Sequence, residues 1–449
     1  MSTVEMEVFS NAQLIIITIL MFIGGEVFTS MVGLHLKRSK IIRTWKSEGK
    51  IESVESEPSS SPPHPSHQIE LGIVAVPEPG VTRFESRLDV LDSHRPFIKY
   101  DAINFLGFVV LGYLLVIQIL GTMSVLLYFA FFPSAQNVLK QKGLKTFTFA
   151  VFTVVSTFAS CGFVPTNENM MVFSKNSGLL WILIPQILFG NTLFPSCLRF
   201  LVWVLGKKVK KAEAEYLLKN TKEAGYVHFL PKVHCVFLVG TVMGFILIGF
   251  VLFCSMEWDS AALNGLNIYQ KIVGVIFQCV NARHTGETIV DLSTIAPAIL
   301  VFFVIMMYLP PYTSFLPIKR DEESTSESEE RKKRRKNRVA ENLIFSQLSY
   351  LVIFIILICI TERKSLKQDP LNFSVLNIIV EVISAYGNVG FTTGYSCDRQ
   401  LKRDPNCVSK WYGFSGKWSD EGKIILIIVM FFGRLKKFNM NGGRAWKLL

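Results

Sequence analysis

Long apolar runs divided by short basic loops set the pattern of this chain. They predict spans at about 13–36, 103–131, 178–204, 233–255, 294–316, 342–361 and 421–435. A run of about 18 or more apolar residues is long enough to cross a bilayer as a helix. Three other apolar stretches are shorter: TFTFAVFTVVSTFASCGFVPTNENM, YQKIVGVIFQCVNARHTGETIVD and NFSVLNIIVEVISAYGNVGFTTG. Their apolar parts run for only about a dozen residues and end in polar, Gly-bearing segments. That length predicts re-entrant half-helices, which membranes tolerate only where they line protein or a water-filled cavity.

Span, half-helix, Gly segment and span therefore recur as a unit. The glycines in register are Gly162, Gly286 and Gly390, 124 and 104 residues apart. A repeat that cannot close a pore alone calls for a further copy. MSTVEMEVFSNAQL resembles VPTNENMMVFSKNSGL, the stretch after Gly162. By that match the chain starts inside a first unit whose own Gly-equivalent, half-helix and outward span precede Met1. The expected organisation is 1–36 for the rest of the first unit and 37–98 for a Ser/Pro-rich cytoplasmic linker. A second unit follows at 99–204, a basic loop at 205–232 and a third unit at 233–317. A charged loop occupies 318–341, a fourth unit 342–440 and a cytoplasmic tail 441–449. The fold class is an all-α polytopic membrane protein with a fourfold pseudo-repeat around a central pore, its first unit incomplete.

Composition agrees: half of the 449 residues are hydrophobic and mean hydropathy is +0.37. The net charge of +12 would suit a nucleic-acid binder, but the basic residues sit in loops between spans. They include Lys207, Lys208, Lys210 and Lys211, the run RKKRRKNR and the tail residues Lys436, Lys437, Arg444 and Lys447. With alternating spans all fall on one side, which the positive-inside rule makes cytoplasmic. The partners this implies are the lipid bilayer and a transported ion, with no nucleic acid and no cofactor. No C-x-x-C spacing occurs among the eight Cys, and most lie in apolar runs. Cys397 and Cys407 share a polar loop, where a disulfide is open if that loop is extracellular. Asn372-Phe373-Ser374 matches a glycosylation acceptor, but its place at the start of a half-helix argues against occupancy.

A cation crossing a membrane must exchange water for polar groups that do not trap it, and backbone carbonyls do this. Gly permits both the φ/ψ and the close approach such carbonyls need. A half-helix aimed at the membrane centre adds its negative C-terminal end. Gly162, Gly286 and Gly390 are accordingly candidate cation-filter residues, with neighbours Ser160, Cys161, Thr285 and Val389. Among the returning spans, GGEVFTS, GNTLFPS, PPYTSFL and GRLKKFN take equivalent places. Aligning them puts Glu26, Asn191, Pro311 and Arg434 in one layer below the filter. A charge within a span is costly and usually faces a cavity or a partner.

STFASCGFVPTNENM, NARHTGETIVD, SAYGNVGFTTGYSC and the tail MFFGRLKKFNMNGGRAWKL closely resemble plant HKT transporters of the Trk/Ktr/HKT superfamily. The resemblance covers essentially the whole chain. It implies four M1–P–M2 units in one polypeptide, one filter residue per unit, a plasma-membrane location and association as a homodimer. Carried over, the second, third and fourth filter glycines are Gly162, Gly286 and Gly390, and Arg434 matches a basic residue near the pore below the filter. In the family a Ser at the first filter position goes with Na⁺-selective members and a Gly with members that also carry K⁺. That position lies before Met1, so Na⁺ is expected from overall similarity to the Na⁺-type branch.

Three readings follow: Na⁺ uniport or channel-like conduction, Na⁺/K⁺ cotransport on the same architecture, and a non-conducting membrane protein. An enzyme is excluded on motif grounds, since no H-E-x-x-H, G-x-S-x-G or P-loop pattern occurs.

Overall fold

The computed structural model describes residues 2–47, 82–208, 211–317, 347–402, 405–439 and 446–448. The Ser/Pro-rich run and RKKRRKNR lie outside them. In chain order the helices are α1 (Asn11–Gly24), α2 (Glu26–Ser47), α3 (Thr82–Phe131), α4 (Pro133–Gln141), α5 (Thr146–Phe158), α6 (Ser177–Gly190), α7 (Phe194–Lys208) and α8 (Lys211–Lys219). They continue with α9 (Thr221–Ala224), α10 (Lys232–Glu257), α11 (Ile268–His284), α12 (Pro297–Tyr308), α13 (Gln347–Thr361), α14 (Arg363–Gln368), α15 (Val375–Gly387) and α16 (Asp420–Asn439). One short parallel pair, Phe315–Pro317 with Trp446–Leu448, interrupts the helical pattern.

Local sequence accounts for several helix starts. Ser10 and Gln13 form a capping box at α1, and Asn267 with Gln270 forms another at α11, satisfying amide groups that a first turn leaves bare. Pro297 occupies the first turn of α12, where its missing N–H costs nothing. Ser374 caps α15 by accepting from Asn377 N.

Among the described residues, Ile98–Phe131 and Lys232–Glu257 are long and apolar enough to cross a bilayer unbroken. Two further stretches are long and apolar enough only as bent pairs. Asn11–Gly24 and Glu26–Lys40 meet at 54°, and Ser177–Gly190 and Phe194–Lys208 at 82°. The expected span 294–316 is not one helix. It stops at Tyr308, because Pro310 and Pro311 follow and cannot supply helical N–H groups. Helix α2 continues to Ser47 and α3 begins at Thr82, so helix enters both ends of the stretch 37–98.

Packing divides the helices into trios. An outward helix packs on a short helix and on the helix that returns: α3 on α5 and α6, α10 on α11 and α12, α13 on α15 and α16. The trios are stitched in sequence. α1 lies on α5, α6 on α11, and α12 on α15. The returning helices α1, α6 and α12 therefore each touch the short helix of the next trio.

The short helices are the protein's interior. Nearly every side chain of α5 from Thr148 and of α11 from Val273 is buried. The outer helices instead expose one apolar face, with Leu115, Ile119 and Leu127 on α3 and Val236, Leu247 and Val251 on α10. A bilayer can satisfy such a face, whereas water would not. The second short helix, α11, has 17 residues instead of the expected dozen, since its capped first turn projects Ile268 and Tyr269 outward.

Candidate cation pathway

The short helices α5, α11 and α15 end in the same way. Helix α5 stops at Phe158, and the chain turns through Ser160 (φ 58°) and Gly162 (φ 70°). Helix α11 stops at His284, and the turn runs through Thr285 and Gly286 (φ 79°). Helix α15 is closed by Asn388 in the left-handed region (φ 54°), followed by Val389 and Gly390 (φ 87°). All three candidate glycines thus adopt positive φ, which side chains disfavour. They also touch one another's strands. A Cβ on Gly162 would strike the Thr285 carbonyl, and one on Gly286 would strike the backbone of Gly390 and Phe391. These segments therefore converge, and glycine is what lets the backbones meet.

Hydrogen bonds from behind fix the loops. Phe163 N donates to Ser156 Oγ at 2.9 Å. Glu287 N donates to Asn281 Oδ1 at 3.2 Å and Ile289 N to Gln278 Oε1 at 3.1 Å. Two fully buried carboxylates join this scaffold. Glu287 accepts from Thr157 Oγ1 at 2.6 Å, bridging the loop after α11 to α5, and Thr285 Oγ1 donates to the Thr157 carbonyl at 3.2 Å. Glu381 of α15 accepts from the Thr392 hydroxyl, and Thr392 Oγ1 also accepts from Phe414 N at 3.0 Å. A carboxylate buried this deeply persists only with such partners.

A cavity of about 540 Å³ opens beneath the converging loops. Its walls include Ser160, Cys161, Val389 and Gly390 together with Glu26, Asn191, Pro311 and Arg434. The four residues aligned from the returning spans thus face one space. A second cavity of about 280 Å³ continues beyond it, and Glu26 and Arg434 line both. Helix breaks supply the lower wall, and each frees carbonyls that need donors. Arg434 Nη2 donates to Gly24 O at 2.9 Å. Asn191 Nδ2 donates to Ser160 Oγ at 2.9 Å and to His284 O at 3.2 Å. Arg283 Nη2 reaches Pro310 O at 2.9 Å and Pro311 O at 3.3 Å, with Nη1 3.5 Å from Met306 O.

A model of the TrkH cation transport protein family matches residues 86–441. This chain is a TrkH-family protein. It is 50% identical over 453 residues to the cation transporter HKT1;3 of Oryza sativa subsp. japonica, covering 100% of this chain and 82% of that protein. It is 50% identical over 457 residues to the sodium transporter HKT1 of Arabidopsis thaliana, covering 100% and 86%. Against the probable cation transporter HKT1;4 of Oryza sativa subsp. japonica the figures are 48% over 458 residues, 100% and 88%. The chain therefore groups with plant HKT transporters of the family, a helical membrane protein of monovalent cation transport and not an enzyme.

Several residues of this TrkH-family site escaped the sequence reading. Gly190 and Gly433 each precede a layer residue. A Cβ on Gly190 would strike the Phe158 carbonyl, and one on Gly433 the Tyr386 carbonyl. These glycines let a returning helix lie against the end of its own short helix, and their presence in GNTLFPS and GRLKKFN was a usable signal. Glu381 was equally visible as an acid inside an apolar stretch. Arg283 gave none, because its targets lie beyond a turn. Away from the cavities, Cys397 and Cys407 are joined with Cα atoms 5.9 Å apart. Asn372 is buried and donates to Asp369 Oδ2 and Ser396 O at 2.9 Å each; a glycan has no room there.

Proposed function

We propose that this chain conducts Na⁺ across the plasma membrane as a uniporter or channel-like pathway, through a filter lined by carbonyls beside Gly162, Gly286 and Gly390. The observation that carries the reading is the convergence of three short-helix C-termini, each ending in a positive-φ glycine, above a cavity that holds Glu26, Asn191 and Arg434. The three packed trios support a reading of 99–204, 233–317 and 342–440 as M1–P–M2 units. Residues 2–47 pack in the manner of a further returning span, with α1 on α5, which supports a fourfold arrangement around one pore. Association as a homodimer is part of the proposal, by resemblance to the family.

A cation entering the filter loses water and gains carbonyl oxygens, and the negative ends of α5, α11 and α15 favour it there. Below the filter the guanidinium of Arg434 shortens cation residence by repulsion, and Glu26 offsets part of that charge. In a water-like medium two unit charges 4 Å apart interact by about 1 kcal/mol, so the pair tunes passage without closing it. Na⁺ is preferred over joint Na⁺ and K⁺ passage because 50% identity extends over the whole chain to a protein named a sodium transporter.

Voltage clamp on cells expressing the chain, with external Na⁺ and K⁺ exchanged, tests the reading. The reversal potential is expected to follow Na⁺ alone. A shift with both ions would favour Na⁺/K⁺ cotransport, and absence of current would favour a non-conducting protein.

A further inference from the structure

The segment between the second and third trios does not hang free. After α9 the chain turns at Gly225 (φ 59°) and runs beneath the lower cavity, which Gly225, Tyr226, Val227 and His228 help to line with Glu26 and Arg434. Contacts to three returning spans hold it there. The Tyr226 hydroxyl pairs with Ser30 Oγ of α2 at 2.9 Å, and Lys37 Nζ of α2 donates to Ala224 O at 3.0 Å. Arg199 of α7 donates to Leu230 O at 2.9 Å. His228 Nδ1 pairs with the Tyr312 hydroxyl beyond α12 at 2.6 Å, and its ring meets Phe194 and Tyr226 edge-on at 5.5 and 5.2 Å. Tyr226, His228 and Phe229 are buried, whereas Val227 between them is 42% exposed. The segment is therefore clasped by alternate side chains and presents Gly225 and Val227 to the open space.

We propose that Gly225–His228 forms the cytoplasmic throat of the permeation path, with Tyr226 and His228 as positioning residues that hold it across the exit. The proposal rests on the conduction reading above. A cation leaving the Glu26–Arg434 neck passes this segment before reaching the cytosol, so the segment sets exit conductance while the filter sets ion choice.

The test uses the full chain with Val227→Cys, in inside-out patches treated from the cytoplasmic face with a cationic methanethiosulfonate. Labelling is followed separately with a biotinylated thiosulfonate. One added positive charge a few ångströms from the path lowers local cation occupancy about fivefold in a water-like medium. Current is expected to fall by about that factor beyond any effect on the parent, whose Cys161 lines the upper cavity, with the reversal potential unchanged. Tyr226→Phe, which removes only the hydroxyl at Ser30, is expected to alter rectification and leave the reversal potential in place. Labelling at position 227 without loss of current overturns the proposal, as does failure to label from the cytoplasmic face. A parent chain that carries no current fails the conduction reading itself, and the throat with it.

Discussion

Three of the four chain segments that border the cavity through Glu26, Asn191, Pro311 and Arg434 break there, and one does not. The first bends at Gly25. The second folds back at Asn191. The third ends at Tyr308 before two prolines. Helix α16 runs from Asp420 to Asn439 without a break. Its one glycine near the layer, Gly433, is followed by Arg434, Leu435 and Lys436, all good helix formers. The breaks expose carbonyls and widen the space beneath the loops. The straight helix delivers the guanidinium that caps the first break, at Gly24 O. A broken helix here creates acceptors, and the intact one supplies a donor to one of them at the cavity they share.

The largest effect is expected where the unbroken helix α16 lies against its own short helix, α15. A Cβ on Gly433 meets the backbone of Tyr386, which cannot yield as a flexible side chain would. Gly433→Ala should therefore destabilise the protein by about 3 kcal/mol or more, read as lost folded yield and a lower melting temperature in detergent. Gly24→Ala, where a Cβ would meet nothing within 4 Å, should be close to neutral. Equal behaviour of the two variants would remove the packing argument. Next comes Arg283→Met, which removes the guanidinium from the carbonyls of Met306, Pro310 and Pro311; Pro310 O keeps the amide and hydroxyl of Thr313, so the cost should be about 2–3 kcal/mol. Asn191→Leu removes two hydrogen bonds at the second break and should cost about 1–2 kcal/mol. If Asn191→Leu proves the costlier of these two, the breaks are not held mainly by their caps. Arg434→Gln shortens the side chain and withdraws the donor from Gly24 O, so stability should change by about 1 kcal/mol. Its signature is a change in rectification or conductance with the same ion preference; a reversal of preference would place Arg434 in the filter instead of below it.

The sequence made the three glycines visible because they recur after apolar stretches too short to span. It also aligned Glu26, Asn191, Pro311 and Arg434, because each follows a Gly or Pro at the same place in its span, and the four face one cavity. Helix ends were harder to read. The run 294–316 reads as one span by hydropathy, and the two prolines that stop it were outweighed by the apolar residues around them. Residues 37–47 read as linker through their charge, yet helix propensity carries α2 through them. Least visible were contacts that chain order does not bring together. Arg283 reaches 27 residues ahead to Pro310, and Glu287 reaches back to Thr157. The segment around Tyr226 looked like an ordinary basic loop because its basic flanks masked the alternation of buried Tyr226 and His228 with exposed Val227.

The central claim is that the converging glycine loops are the path of the ion. Its most direct test is the Na⁺ current of Gly286→Ala beside the parent chain, at matched amounts of protein in the plasma membrane. The account predicts loss of current, because the added methyl meets the backbone of Gly390 and Phe391 at a position with φ 79°. Undiminished current with the parent's reversal potential would mean that the ion crosses elsewhere.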